Sequence, residues 1–306
     1  MAGTGRVLIV GGGVGGMSCA ISLRRAGISV DLVEIDPTWK IYGAGITITG
    51  PTLRALQTLG VLDEVTQHGA TWEGAYVYSQ TGQLIEELNY PPIAADLPGT
   101  GGIMRPEFTG QVIYRIVAER PPGFDRTHFY MGPDSKLGFN PVSRTHLYMF
   151  LLQRSPSNPW IAVEDQPRRL YDSMSGWGGI APEVRKTVMT TNAHTINYRP
   201  LEAVLLPNPW YRERVILIGD AAHATTPHLA SGAGMAVEDG IVLAEEVTRD
   251  ADIDAALPRF MKRRYERGKL VAENSLRLGE LEMTHGSPKE HSRVMMAAVA
   301  ALAQPA

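Results

Sequence analysis

The chain carries a single cysteine, Cys19, in 306 residues. An internal disulfide is therefore impossible and a cysteine-built zinc site is excluded, so a reducing compartment is expected. An excess of charge of one sign is missing too. The formal net charge is −3 and the pI is near 6.3, which leaves no electrostatic footprint for nucleic acid. No run approaches the roughly 18 consecutive apolar residues of a membrane span. The opening apolar run, Val7-Leu8-Ile9-Val10, is too short for a secretory signal and leads into glycines; a cytoplasmic protein without membrane contact is expected. His, Asp and Glu residues are scattered without metal-ligand spacing, so no metal is expected. Repeats and low-complexity tracts are also missing. What remains is an ordinary globular composition, 44% hydrophobic and 20% charged. At this length roughly 75% of the unfolded surface can be buried, in one large or two modest domains. Glycine (32) and proline (21) are plentiful, as tight turns and close backbone approaches to a ligand require.

The first segment reads as strand, glycine turn, helix, strand. Arg6 to Val10 is a short β-branched run with the pattern of a parallel strand buried on both faces. Gly11 to Gly16 follow, then Met17, Ala20, Ile21 and Arg24 at helical spacing. Gly27 sits where a helix ends in a left-handed turn. Ile28 to Val33 is the second strand, closed by Glu34. From about Trp72 to Gln153 the pattern changes to short alternating stretches: Ala75 to Ser79, Gln111 to Ala118, His128 to Met131 and His146 to Leu152. Turn signals separate them, predicting an antiparallel sheet in its own layer. The last third returns to the first pattern, with a buried-strand run Arg214 to Ile218, a helix bearing Ala236, Gly240, Leu243, Ala244 and Val247, and a second helix over Leu257 to Val271. The fold class expected is α/β, a Rossmann-like nucleotide-binding domain (residues 1–70 and 193–306) with an inserted antiparallel β-rich substrate domain (71–192).

Two constellations carry chemistry. Gly11-Gly12-Gly13-Val14-Gly15-Gly16 contains G-x-G-x-x-G, in which Gly11, Gly13 and Gly16 permit a tight turn, a close approach to a pyrophosphate and close helix–strand packing. The anion then rests on the free N–H groups of the helix that follows, beginning at Val14. Glu34, eighteen residues past Gly16, stands where a carboxylate accepts hydrogen bonds from ribose hydroxyls. The second constellation is Gly219-Asp220-Ala221-Ala222-His223 with Pro227 and Gly232-Ala233-Gly234. Gly219 lets a ligand approach closely, Asp220 can accept from a sugar-like hydroxyl, and Gly232 to Gly234 open a helix whose N–H groups face negative charge. A flavin needs such a second site; a nicotinamide dehydrogenase does not.

Together, in this order and with Glu238-Asp239 following, these motifs resemble the class A FAD-dependent aromatic hydroxylases, among them p-hydroxybenzoate, salicylate and hydroxypyridine hydroxylases. The resemblance runs along most of the chain. It implies FAD, NAD(P)H as co-substrate, and O2. The implied reaction is hydroxylation of a phenol- or hydroxypyridine-like ring through a flavin C4a-hydroperoxide. It also implies that Glu34 holds the adenosine ribose, that Asp220 holds the ribityl hydroxyls, that Pro227 to Gly234 border the isoalloxazine, and that Arg105 lies near the flavin phosphates. His228 and His223, with Tyr198 third, are the candidates for helping to deprotonate the substrate. A homodimer is compatible with all of this.

One departure stands out. Arg105-Pro106 runs straight into Glu107 to Gln111, where the family carries a helix, further strands and an apolar strand ending in Asp-Gly. The only Asp-Gly, Asp239-Gly240, belongs to the last motif. An internal deletion near 106–107 is expected to leave sheet edges or an apolar trough open. The alternatives are a non-hydroxylating FAD oxidoreductase, an inactive shortened relative that binds nucleotide weakly, and, third, a nicotinamide dehydrogenase. Cys19, Trp160, Trp177 and Trp210 are expected in the core, and the Arg259 to Arg267 helical face in solvent.

Overall fold

The computed structural model describes residues 5–39, 46, 48–69, 74–89, 107–249, 252–284, 286–304 and 306. Arg105 lies outside them. The chain opens with β1 (Arg6–Val10), α1 (Val14–Arg25), β2 (Ser29–Val33), α2 (Gly50–Thr58) and α3 (Leu62–His68). Helix α1 ends as its sequence requires. Gly27 takes φ +82°, and the Gly27 and Ile28 amides donate back to Arg24 and Leu23 carbonyls at 3.1 and 3.0 Å. Strands β1 and β2 pair in parallel, Val7 opposite Val30 and Ile9 opposite Leu32.

The next elements are β3 (Gly74–Ser79), β4 (Leu84–Asn89), β5 (Glu107–Glu119), β6 (Thr127–Met131), β7 (Ser135–Pro141) and β8 (His146–Arg154), then α4 (Gln166–Ser173), α5 (Ala181–Val188) and β9 (Asn197–Ala203). The seven strands form one mostly antiparallel sheet in the order β4-β3-β6-β7-β8-β5-β9, with β3 and β6 parallel. The sheet takes in β9, beyond the boundary expected at 192. Its side chains alternate between the two faces, with irregularities between Val77 and Tyr78 of β3 and between Phe108 and Val112 of β5. Tyr114, Ile116, Leu137, Phe139, Met149 and Leu151 point to one side and form a core with Leu170, Met174, Val184 and Val188 of α4, α5 and the turn after α4. Their neighbours Ile113, Phe129, Phe150 and Leu152 point to the other side.

The chain closes with β10 (Tyr211–Arg212), β11 (Val215–Ile216), α6 (Asp220–His223), α7 (Gly232–Arg249), α8 (Ile253–Met283) and α9 (Pro288–Ala301). Helices α1 and α7 cross closely, because a Cβ on Gly240 would sit 2.4 Å from the Cys19 amide nitrogen. A second core gathers Ile9, Cys19, Leu23, Trp210, Leu243 and Phe260 around that crossing. Among the described residues no helix is long and apolar enough to cross a membrane.

Several expectations are corrected here. Strand β1 is not buried on both faces: Ile9 is 8% exposed, but Leu8 and Val10 are 63% and 79% exposed. Among the described residues β1 has a strand on one side only. The run Arg214 to Ile218 is not a buried parallel strand either. Only Val215–Ile216 is paired, in a short antiparallel hairpin with Tyr211–Arg212, and Val215 is exposed. Both runs have the composition of an interior strand, but burial needs a neighbour. Trp160 is exposed while Trp177 and Trp210 are buried, since Trp160 lies in the connection after β8 with no layer above it. Arg264 and Arg267 are fully buried rather than solvated, for a reason given below.

Candidate functional site

A cavity of about 3500 Å³ lies between the cavity-facing side of the seven-stranded sheet and the α1–α7 layer. Ligand pockets usually measure roughly 300–1,000 Å³, so this one has room for more than one small molecule. Gly11, Gly13, Val14 and Gly16 line it from one stretch of chain, and Gly219, Asp220, Pro227, Gly232 and Ala233 from the other. The two stretches touch: a Cβ on Gly15 would lie 3.5 Å from the Ala236 Cβ and 3.8 Å from the Gly219 Cα.

The local geometry explains the residue types. Gly13 precedes α1 in extended conformation, and α1 has neither a capping side chain nor an acidic residue in its first turn, so its leading amides are free to bind negative charge. At Gly16 a Cβ would stand 2.0 Å from the Gly11 carbonyl oxygen; no other residue lets the helix come so near the turn. Gly219 takes φ +58° and ψ −144°, a conformation open to glycine, and its close approach to Ala236 (3.2 Å from a would-be Cβ) leaves little space. Asp220, next in sequence, is exposed to the cavity. Glu34 accepts from the Gly12 N–H of the glycine turn at 2.5 Å and from the Asp36 N–H of its own loop at 2.9 Å. Those backbone donors hold its carboxyl below the usual range. It does not line the cavity wall.

Beneath Gly219 lies a buried charge network. Asp239 accepts from the Gly219 N–H at 2.8 Å, from His223 Nε2 at 2.6 Å and from Arg264 Nε at 2.8 Å. Arg264 and Arg267 both donate to Glu238 at 2.7–2.8 Å, which is why these arginines leave solvent. Two carboxylates and two guanidinium groups balance one another, each with directed hydrogen bonds, as burial of charge demands. Burial alone would raise the Asp239 carboxyl, but His223 and Arg264 outweigh it and bring it down to about 2. His223 is thus spent on Asp239 and on stacking against Trp210, with ring centres 5.3 Å apart. It is not on the cavity wall.

Tyr198 is placed elsewhere as well. Opposite Tyr114 in the sheet, it shares that residue's face, away from the cavity. It donates its hydroxyl to the Pro159 carbonyl at 3.2 Å. The alternation of the sheet puts it out of reach.

His228 is on the wall. Its Nδ1 hydrogen-bonds to Thr226 Oγ1 at 2.9 Å, and burial pushes its pKa down to about 4, so the ring is neutral near pH 7. Its Nε2 lies 3.5 Å from Glu282 Oε2 on α8. Glu282 in turn receives Lys136 Nζ from β7 at 2.7 Å and His291 Nε2 from α9 at 3.1 Å, both on Oε1. Burial would raise the Glu282 carboxyl; Lys136, His228 and His291 outweigh that and hold it well below the carboxylate range. Lys136, Glu282 and His291 are functional-site candidates that the sequence did not reveal. They lie far apart in sequence and match no motif. The facing sheet offers Phe129, Phe150, Leu152 and Ile113, with Arg115 and Tyr148 as polar groups. A flat aromatic ring suits such a wall.

Comparison with known proteins bears on these features. The FAD binding domain family matches residues 4–114 and 185–275. A putative FAD-dependent monooxygenase of Bacillus subtilis, YetM, is 30% identical over 336 aligned positions, covering 87% of this chain and 90% of the relative. The aurachin C monooxygenase/isomerase of Stigmatella aurantiaca is 25% identical, covering 90% and 89%. Among solved structures, that of Klebsiella pneumoniae HpxO with FAD and uric acid superposes with a TM-score of 0.80 at 19% identity, over 99% of this chain and 97% of that one. The 336 positions of the first alignment outnumber the 306 residues of the chain. The relative therefore has residues inside the matched region that this chain lacks.

Proposed function

Because the chain belongs to the FAD binding domain family and is an FAD-dependent monooxygenase of the aromatic-hydroxylase type, we propose that it hydroxylates a planar phenol- or hydroxypyridine-like ring at the expense of NAD(P)H and O2. The observation that carries this is the single cavity walled by both glycine motifs on one side and by the Phe129–Phe150 sheet face on the other. When bound, FAD supplies the redox chemistry: it takes reducing equivalents from NAD(P)H and activates O2.

The chain's own groups supply the rest. The Gly11 to Gly16 turn and the α1 amides take the pyrophosphate. Asp220 accepts from ribityl hydroxyls, and Gly232 and Ala233, opening α7, present N–H groups to the electron-rich edge of the flavin ring. Pro227, on the cavity wall, would border that ring. Glu34, whose carboxylate oxygens each accept more than one hydrogen bond, would hold the adenosine ribose. His228, neutral near pH 7, receives the substrate hydroxyl proton by way of Thr226, which makes the ring more nucleophilic. The role proposed for His223 is to hold the Gly219 turn through Asp239.

FAD titration of the protein and of Asp220→Ala and Glu34→Ala tests the assignment. A loss of about tenfold or more in affinity is expected for Asp220→Ala, the size of one hydrogen bond made to a charged group. Unaltered affinity in both variants refutes it. Substrate-stimulated NAD(P)H oxidation that yields hydroxylated product distinguishes this activity from that of a non-hydroxylating oxidoreductase.

A further inference from the structure

Helix α9 carries two apolar stripes. Val294 and Ala298 pack into a core with Leu278 and Leu281 of α8. Ser292, Met295, Met296 and Val299 stand at i, i+3, i+4 and i+7, on a second face of the same helix, and that face lines the large cavity. One apolar stripe is enough to dock a surface helix; the second turns its methionines to the cavity, and Met296 is 62% exposed. The sheet adds to this corner with Phe129 and Met131 of β6, which also line the cavity. Met131 is paired with Lys136 of β7. Lys136 Nζ and His291 Nε2, the latter from the first turn of α9, both hydrogen-bond to Glu282 Oε1, at 2.7 and 3.1 Å. One carboxylate thus ties the start of α9 to the sheet and engages both cationic side chains nearby. What is left for a ligand is thioether and hydrocarbon.

We propose that the substrate ring carries a hydrocarbon chain, and that the Met295, Met296 and Val299 face of α9, with Met131 of β6, binds it. This rests on the functional reading above and extends it from the ring to what is attached to the ring. Phe129 belongs to both parts of the wall. It lies on the sheet face that suits a flat ring, and its own ring centre is 5.2 Å from Lys136 Nζ, so the chain continues the surface on which the substrate ring rests. From Ser292 to Val299 the stripe runs about 10 Å along the helix. The cavity of about 3500 Å³, against roughly 300–1,000 Å³ for most ligand pockets, leaves volume for a chain beside a flavin and a ring. A charged or hydrogen-bonding substituent would lose its water against Met295, Met296 and Val299 and gain no partner. A hydrocarbon chain gains from the same burial, and unbranched methionine side chains repack around a chain of no fixed shape.

Isothermal titration of FAD-loaded protein with 4-ethylphenol, 4-butylphenol and 4-hexylphenol tests this. Binding should tighten about threefold to fourfold for each added methylene, with a heat-capacity change that grows more negative along the series. The ratio of hexyl to ethyl affinity, taken within each variant, should collapse in Met296→Glu and Val299→Glu, because a carboxylate on that face opposes burial of the chain. Met296→Leu should keep the ratio. Met296 is exposed, so its substitution by Glu does not bear on folding. No gain with chain length in the wild type, or an equal gain in both Glu variants, overturns the proposal. Titration with 1-octanol, which has no ring, separates this inference from the reading on which it rests. Octanol binding that is lost in the two Glu variants, from protein that hydroxylates none of the phenols, supports the chain site and refutes the ring reading. Hydroxylation of 4-ethylphenol by protein that shows no chain-length gain and binds no octanol supports the ring reading and overturns the chain site.

Discussion

Three consecutive residues of β1 should respond to substitution in opposite ways. Ile9 faces the core at 8% exposure, whereas Leu8 and Val10 on either side are 63% and 79% exposed. In a completed parallel sheet all three would be interior, and a lysine at any of them would bury a charge or lose the 1.5–3 kcal/mol or so that an apolar side chain gains from burial. In this fold Leu8→Lys and Val10→Lys should each change stability by about 0.5 kcal/mol or less, as surface substitutions do. Ile9→Ala should cost about 2–5 kcal/mol, from lost burial plus the cavity it leaves. Urea unfolding with linear extrapolation measures all three, provided the slope with denaturant is unchanged. The lysine variants should also aggregate less, because among the described residues one edge of β1 is unpaired and a charge there opposes strand addition. A cost of 2 kcal/mol or more for Val10→Lys would refute the reasoning. So would a midpoint that climbs with protein concentration, since both mean that another strand covers this edge.

Three further outcomes follow from the geometry. Gly16→Ala would place a methyl 2.0 Å from the Gly11 carbonyl oxygen, so FAD affinity measured by flavin fluorescence should fall by tenfold or more, with destabilisation of about 1–3 kcal/mol from overpacking. His228 has a folded-state pKa of about 4 against roughly 6.5 when unfolded. Between those values the unfolded chain binds the extra proton, so stability should drop as pH falls from about 6.5 to about 4, by up to about 3 kcal/mol; His228→Gln should flatten that part of a pH–stability curve, and an unchanged curve would contradict the assignment. Gly138→Ala would bring a methyl within 2.3 Å of the Phe150 ring on the cavity wall, so the ring must swing into the cavity. A raised KM for the aromatic substrate with unaltered FAD affinity is the expected result.

Much of this protein was legible in one dimension. The Gly11–Gly16 and Gly219–Gly234 stretches, β1, α1 and β2, the Gly27 helix stop and helices α7 and α8 all rest on signals confined to a few neighbouring residues. Glycine spacing, apolar periodicity and turn chemistry act locally, so they survive in sequence. What tertiary structure decided depends on partners far along the chain. Arg264 looked like part of a solvated basic face until Asp239, 25 residues away, was found opposite it. His223 and His228 carry the same side chain five residues apart, yet one is spent on Asp239 and the other faces Glu282 at the cavity. Tyr198 is excluded from the site by the parity of β9, which is set by its pairing with β5 far along the chain. Leu8 and Val10 have the composition of a sheet interior and lie exposed, because burial is a property of what packs alongside a residue. The chain alone specified the two glycine stretches; only the assembled fold determined which charged and polar groups face the cavity between them and which are consumed in buried pairs.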